Sequence, residues 1–144
     1  MLDIKNLDEK KTYGKPDLEH NTRIHEQMRN VTEVHDKGWG YEHWIVNNEK
    51  YCGKTLHFNK GKACSWHYHK LKDETFYLWS GRLRICFGEE DDMSDAMVIE
   101  MEPGDTFHIY PGLRHQMFAL EDSKLFEFST QHFDTDSYRI QKGD

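Results

Sequence analysis

The chain has 144 residues, of which 26 are acidic and 19 are Lys or Arg, for a formal net charge of -7. That length suits one ordinary domain core rather than two, and the carboxylate excess disfavours an electrostatic hold on nucleic acid or an anionic bilayer, while leaving room for a local basic patch that binds a phosphate. Cysteines at 52, 64 and 86 with no CxxC spacing support neither a disulfide framework nor a zinc knuckle, and no apolar leader or membrane-length run is present, so the expectation is a cytoplasmic protein.

Residues 1–38 are polar, with Leu18, Ile24, Met28 and Val31 at loose helical spacing. They predict an N-terminal arm with one short helix and one strand. From Trp39 onward, short apolar stretches alternate with turn signals about every ten residues. Strands are expected over 42–46, 53–58, 64–69, 76–79, 82–87, 96–101, 106–110, 115–120 and 124–129. The separators Asn47-Asn48, Asn59-Lys60-Gly61, Ser80-Gly81, Pro103-Gly104 and Pro111-Gly112 carry turn chemistry. The acidic run 89–92 reads as a solvated hairpin loop, since its spacing fits no EF-hand. Many short strands with no helix between them predict an all-β antiparallel sandwich or barrel over 39–130, followed by a tail over 131–144.

The chemistry-bearing segment is GKACSWHYHKLKDETFYLWSG, residues 61–81. His67 and His69 are two apart, so on a strand both rings share one face. Glu74 follows a turn at the start of the next strand, and His115 opens a late strand just after Tyr110-Pro111-Gly112. Three imidazoles and one carboxylate can converge on one divalent transition metal, and that mixed N/O set suits Fe, Mn, Zn, Ni or Co.

At these positions the sequence resembles the cupin superfamily. Gly61, His67, His69, Glu74 and Gly81 match the first cupin motif throughout. Gly104, Gly112 and His115 match the second, with Tyr110 in place of its proline and Ala119 in place of its asparagine. The resemblance implies a double-stranded β-helix, or jelly-roll, barrel with His67, His69, Glu74 and His115 as metal ligands.

Alternation then sorts the neighbours. Ser65, Phe76, Leu78, Met117 and Ala119 are expected inward, and Trp66, Tyr68, Tyr77 and Trp79 outward. An aromatic outer face is costly to leave in water, so it is expected to be covered by the arm or by a second copy in a C2 homodimer. Lys54, Arg84 and Arg114 are candidate substrate anchors, and Glu127, Tyr110 and His108 are candidate bases. His57 reads as structural. Glu127 is expected to face the cavity if Phe126 and Phe128 fill the space between the layers.

The chain is also similar to cupin-type phosphomannose isomerases. The resemblance rests on Gly38-Trp39-Gly40-Tyr41, on Cys52-Gly53-Lys54 and on FEFSTQHFDTDSYRI over 126–140, while WHYHKLKDETF stands in place of that family's HHHRAEHW. It implies a metal-dependent isomerase or epimerase working on a sugar or sugar phosphate through an enediolate. The other readings are an Fe(II)-dependent cupin dioxygenase and a non-catalytic metal- or sugar-binding protein.

Overall fold

A computed structural model describes residues 33–144, and the helical stripe read from Leu18 to Val31 lies outside the described residues. Within them the strands are β1 (Val34–Lys37), β2 (Gly40–Asn47), β3 (Cys52–Phe58), β4 (Trp66–Tyr68), β5 (Glu74–Ser80), β6 (Leu83–Gly88), β7 (Met97–Met101), β8 (Thr106–Ile109), β9 (Arg114–Ala119), β10 (Ser123–Ser129) and β11 (Tyr138–Gln141). They form a six-stranded sheet, ordered β1-β2-β3-β10-β5-β8, and a five-stranded sheet, ordered β11-β4-β9-β6-β7. Every pairing is antiparallel. All nine expected barrel strands have counterparts. The stretch expected as a tail instead supplies β11, which pairs with β4.

Alternation builds the core. In β5, Phe76 and Leu78 are buried while Tyr77 is half-buried on the other face. They meet Leu83 and Ile85 of β6, Met117 and Ala119 of β9, and Leu56, Phe58 and Leu125 in one apolar cluster. Each large apolar side chain taken out of water contributes about 1.5–3 kcal/mol. Trp39 closes one end, stacked on Phe58 at 4.1 Å. The β5–β6 turn is tight at Gly81, whose φ of 89° suits glycine, and a Cβ there would strike Ser123 and the Asp122 carbonyl.

The expected single aromatic face does not form. Trp66 and Tyr68 lie on the five-stranded sheet, and Tyr77 and Trp79 on the other. Trp66 is 0% exposed because the β6–β7 connection folds over it, and its indole N–H donates to the Asp91 carbonyl at 2.9 Å. Tyr68 is covered by Tyr138 of β11, stacked at 5.1 Å, and by the Arg114 guanidinium at 3.9 Å. The chain itself thus covers that half. On the six-stranded sheet Tyr77 and Trp79 are joined by Phe126 and Phe128, with Trp79 59% and Phe128 57% exposed. The two phenyl rings therefore do not fill the space between the layers. They stand on the outer face, and alternation turns Glu127 between them inward.

Candidate metal centre

His67 of β4 stands directly opposite His115 of β9, and the two rings lie 4.3 Å apart. His69, one residue past β4, brings its ring to 5.1 Å from His67 and 5.8 Å from His115. Each ring is oriented by a backbone carbonyl. Nδ1 of His67 meets Ser65 O at 2.8 Å, Nδ1 of His69 meets Asp136 O at 2.8 Å, and Nδ1 of His115 meets Leu113 O at 3.0 Å. A carbonyl only accepts, so the proton sits on Nδ1 and each Nε2 presents a lone pair. One nitrogen from each ring falls within 4.8 Å of the others, which is suitable for a shared metal ion.

Glu74 reaches this cluster from the opposite sheet. Its Oε1 lies 3.2 Å from Nε2 of His115 and 3.8 Å from Nε2 of His69. Yet both Glu74 oxygens and Nε2 of His115 are buried without a hydrogen bond among the described residues. A carboxylate facing a lone pair with no proton between them is repulsive, and burial makes it more so. A shared cation removes the conflict, so these residues fit a metal ion. Protonation agrees. Burial, reinforced by the other two rings, drives the His67 pKa well below the usual imidazole range, and burial lowers His69 as well. Neutral imidazoles are what metal binding requires. Burial acts to raise the Glu74 pKa, but the Lys72 ammonium outweighs it and holds the carboxyl well below its ordinary value.

Beyond the imidazoles lies a buried charge array. Lys72, in the β4–β5 loop, places Nζ 2.7 Å from Oε2 of Glu127, 3.2 Å from Oε2 of Glu74 and 3.2 Å from Nδ1 of His132. Burial disfavours its charge, but the two carboxylates reverse the effect and raise its pKa. The loop is pinned by Asp136, whose carboxylate accepts from the backbone N–H groups of Lys70, Leu71 and Lys72 at 2.9, 3.1 and 3.0 Å. Glu127 sits opposite both Lys54 and Phe76 in the sheet register. Burial, then the charge of Glu74, raises its pKa above the ordinary carboxyl value against the pull of Lys72 and Lys54. Lys54 lies over the Trp44 ring at 3.9 Å, with Glu42 Oε2 at 3.7 Å, and that same Glu42 oxygen accepts from the Trp44 indole at 2.8 Å. Burial and the two lysines depress the His132 pKa to about 4. Lys72, Glu74, Glu127, Lys54, Glu42, Trp44 and His132 line one cavity of about 310 Å³, at the small end of ligand pockets.

The cavity brings together His67, His69, Glu74, His115, Lys54 and Glu127 from the sequence-derived set. It does not bring in Arg84, Arg114, His108 or Tyr110. Arg84 alternates with the inward Leu83 and Ile85, so it points out and pairs with Glu100 at 3.2 Å. Arg114 precedes the inward His115 and pairs with Asp91 at 2.8 Å. His108, opposite Thr75, is exposed and paired with Asp73. Tyr110 lies past the end of β8, exposed, and donates to Glu89 at 2.8 Å. Sequence reasoning missed Lys72, His132, Glu42 and Trp44. The available signal was a shared β2 face for Glu42 and Trp44.

The cupin domain family matches residues 54–128. None of the curated proteins matches the chain. Among solved structures it is similar to the capsular polysaccharide assembling protein CapF from Staphylococcus aureus, at 17% identity and a TM-score of 0.66 over 76% of this chain and 34% of that one. Oxalate decarboxylase from Bacillus subtilis matches at 20% identity and a TM-score of 0.64, over 75% of this chain and 30% of that one. KdgF from Halomonas sp. matches at 19% identity and a TM-score of 0.61, over 72% of this chain and 90% of that one. The chain thus spans about a third of the length of CapF and of oxalate decarboxylase. Likeness at these identities speaks for the fold.

Proposed function

This chain belongs to the cupin domain family, and on that premise we propose that its cavity is the active site of a metal-dependent isomerase or epimerase acting on a sugar or sugar phosphate. The observation that carries the reading is the unprotonated meeting of Glu74 with the Nε2 lone pairs, within ion-pair distance of a cation that also holds the buried carboxyl of Glu127. His67, His69, Glu74 and His115 would hold one divalent transition metal, which supplies Lewis acidity toward a substrate carbonyl oxygen.

The chain's own residues do the rest. Glu127 is the base that takes a proton from the carbon beside the carbonyl and returns it to the former carbonyl carbon, while the hydroxyl proton of the first carbon passes to the former carbonyl oxygen. Burial raises its basicity, and Lys72 fixes the direction of its carboxylate. Lys54 holds a substrate oxygen from the cavity wall. Phe76 and Met117 keep the inner wall apolar, which limits water around the transferred proton. Among the described residues, the face with Tyr77, Trp79, Phe126 and Phe128 leaves Trp79 and Phe128 exposed, and we assign the homodimer contact there.

The test has two parts. Elemental analysis of untagged protein should show about one divalent ion per chain, lost in the His67→Ala/His69→Ala double variant. Incubation in deuterated water with pentoses, hexoses and their phosphates should give deuterium at C1 or C2, lost on chelation and in Glu127→Gln. Unchanged metal in the double variant sinks the ligand assignment. Oxygen consumption with a thiol or aromatic diol, with no exchange, moves the protein to dioxygenase chemistry, and sugar binding without turnover makes it a binding protein.

A further inference from the structure

The two buried lysines of the cavity differ in what they still have to offer. An ammonium carries three N–H donors. Those of Lys72 face three partners within 3.2 Å, in Glu127, Glu74 and His132. Lys54 is as deeply buried, at 2% exposure, yet among the described residues its nearest ionic partner, Glu42, is 3.7 Å away, outside direct hydrogen-bond distance. That Glu42 oxygen already accepts from the Trp44 indole, and the indole face beneath Lys54 offers attraction but no lone pair. A buried ammonium with its donors unspent is costly unless something enters the cavity to accept from it.

Charge counting says what should enter. Among the described residues lining the cavity, Lys37, Lys54, Lys72 and Arg139 are matched by Glu42, Glu74, Glu127 and Asp134, so the formal side-chain charges cancel. The three ligand imidazoles add nothing, since each spends its Nδ1 proton on a backbone carbonyl and offers the ion the lone pair of a neutral ring. A divalent ion at the three imidazoles therefore leaves the loaded cavity two units positive in a small, partly enclosed space, where field lines are focused rather than screened.

We propose that the loaded cavity is built for a doubly anionic small molecule, such as a phosphate monoester or a dicarboxylate, and that Lys54 rather than Lys72 is the side chain that anchors its charge. This rests on the metal-centre reading above and adds the charge class of the ligand. Lys72 is excluded because moving it onto a ligand would strip a counter-ion from Glu74 and Glu127 together, whereas Lys54 can turn from Glu42 to a ligand and leave Glu42 bonded to Trp44.

The experiment is calorimetric titration of Mn(II)-loaded protein with inorganic phosphate, malonate, acetate and ethylene glycol, with chelated protein alongside. Phosphate or malonate should bind at least tenfold more tightly than acetate, with no detectable binding of the diol and none of any probe to chelated protein. Preference for phosphate identifies an ester-type ligand, and preference for malonate a dicarboxylate. Lys54→Met should lose at least tenfold in dianion affinity while binding Mn(II) with unchanged stoichiometry, and Lys54→Arg should restore part of it. Equal affinity for acetate and malonate, tighter binding of the diol, or full dianion affinity in Lys54→Met overturns the proposal. If Lys54→Met proves misfolded by circular dichroism, the wild-type ligand series and Lys54→Arg decide alone. Failure of wild-type protein to take up Mn(II) is a separate result and overturns the metal-centre reading itself.

Discussion

Replacing Lys72 by methionine keeps the length of the side chain and removes its charge. The structure fixes what is left behind. Oε2 of Glu127 and Oε2 of Glu74 lie 2.7 and 3.2 Å from the ammonium, so the two oxygens stand at most about 6 Å apart, both buried. At an effective dielectric of about 20 their mutual repulsion is roughly 3 kcal/mol, in line with the ~3–5 kcal/mol lost when one member of a buried pair is removed. At about 3–5 °C per kcal/mol for a domain of this size, Tm should fall by roughly 10–20 °C. The deficit should depend on pH with a definite sign. Without Lys72 the folded-state carboxyl values rise above their unfolded ones, so the folded variant binds protons more tightly than its unfolded chain. The loss is therefore small below the ordinary carboxyl value of 4.5 and grows as pH rises above it. The assay is urea denaturation of chelated protein at pH 8 and pH 4.5, with Glu127→Gln and the Lys72→Met/Glu127→Gln double variant completing a cycle. The double variant should recover about 2 kcal/mol relative to the sum of the singles. A loss below ~1 kcal/mol at pH 8, the level of an exposed pair, or a cycle with no coupling, would refute the buried-array account.

The remaining expectations concern other parts of the molecule. His132, held near 4 in the folded protein against an ordinary 6.5, binds protons less readily folded than unfolded. Stability should thus be lost as pH falls from 6.5 toward 4, and the urea midpoint of His132→Gln should vary less across that window than that of the wild type. Gly81→Ala forces a Cβ into the Asp122 and Ser123 backbone at a φ of 89° and should cost at least about 2 kcal/mol in thermal unfolding, whereas Gly61→Ala, with open space around it, should cost less. Light scattering at low micromolar concentration should give a dimer for the wild type and a monomer for Trp79→Ser/Phe128→Ser, and a wild-type monomer would remove the assigned contact face.

Legibility in the sequence followed the physics of each element. Strands with one wet and one buried face announced themselves through alternation, as with Phe76 and Leu78 against Tyr77. The short strand β11 did not, because it lies at the edge of its sheet and is written in polar residues, Tyr-Arg-Ile-Gln, and β1, an edge strand of Val-His-Asp-Lys, was expected only as one unplaced strand within residues 1–38. Edge strands contribute little to the core and are kept polar against unwanted pairing, so their periodicity is weak. The imidazoles and Glu74 were readable because fixed spacing along paired strands sets their convergence. Lys72 was not, since it sits in a loop where period-2 reasoning has no purchase, and its burial depends on Asp136 pinning that loop. Arg84, Arg114, His108 and Tyr110 had suitable chemistry, but facing direction depends on strand offset, which residue type does not reveal.

The hold of Asp136 on the β4–β5 loop also bears on how the protein reaches its folded state. The bonds from Asp136 to His69, Lys70 and Lys72 join residues 67, 66 and 64 positions apart. Such contacts close a long loop of chain and form only after its entropy cost has been met by other pairings. The ring of His69 and the ammonium of Lys72 therefore reach their places late, once the segment from Asp134 to Gln141 has docked against β4. Local opening of that segment would release one imidazole and the counter-ion of two carboxylates in a single event. Amide exchange at Lys70, Leu71 and Lys72 should then report the opening, and ion capture should slow it by favouring the docked form.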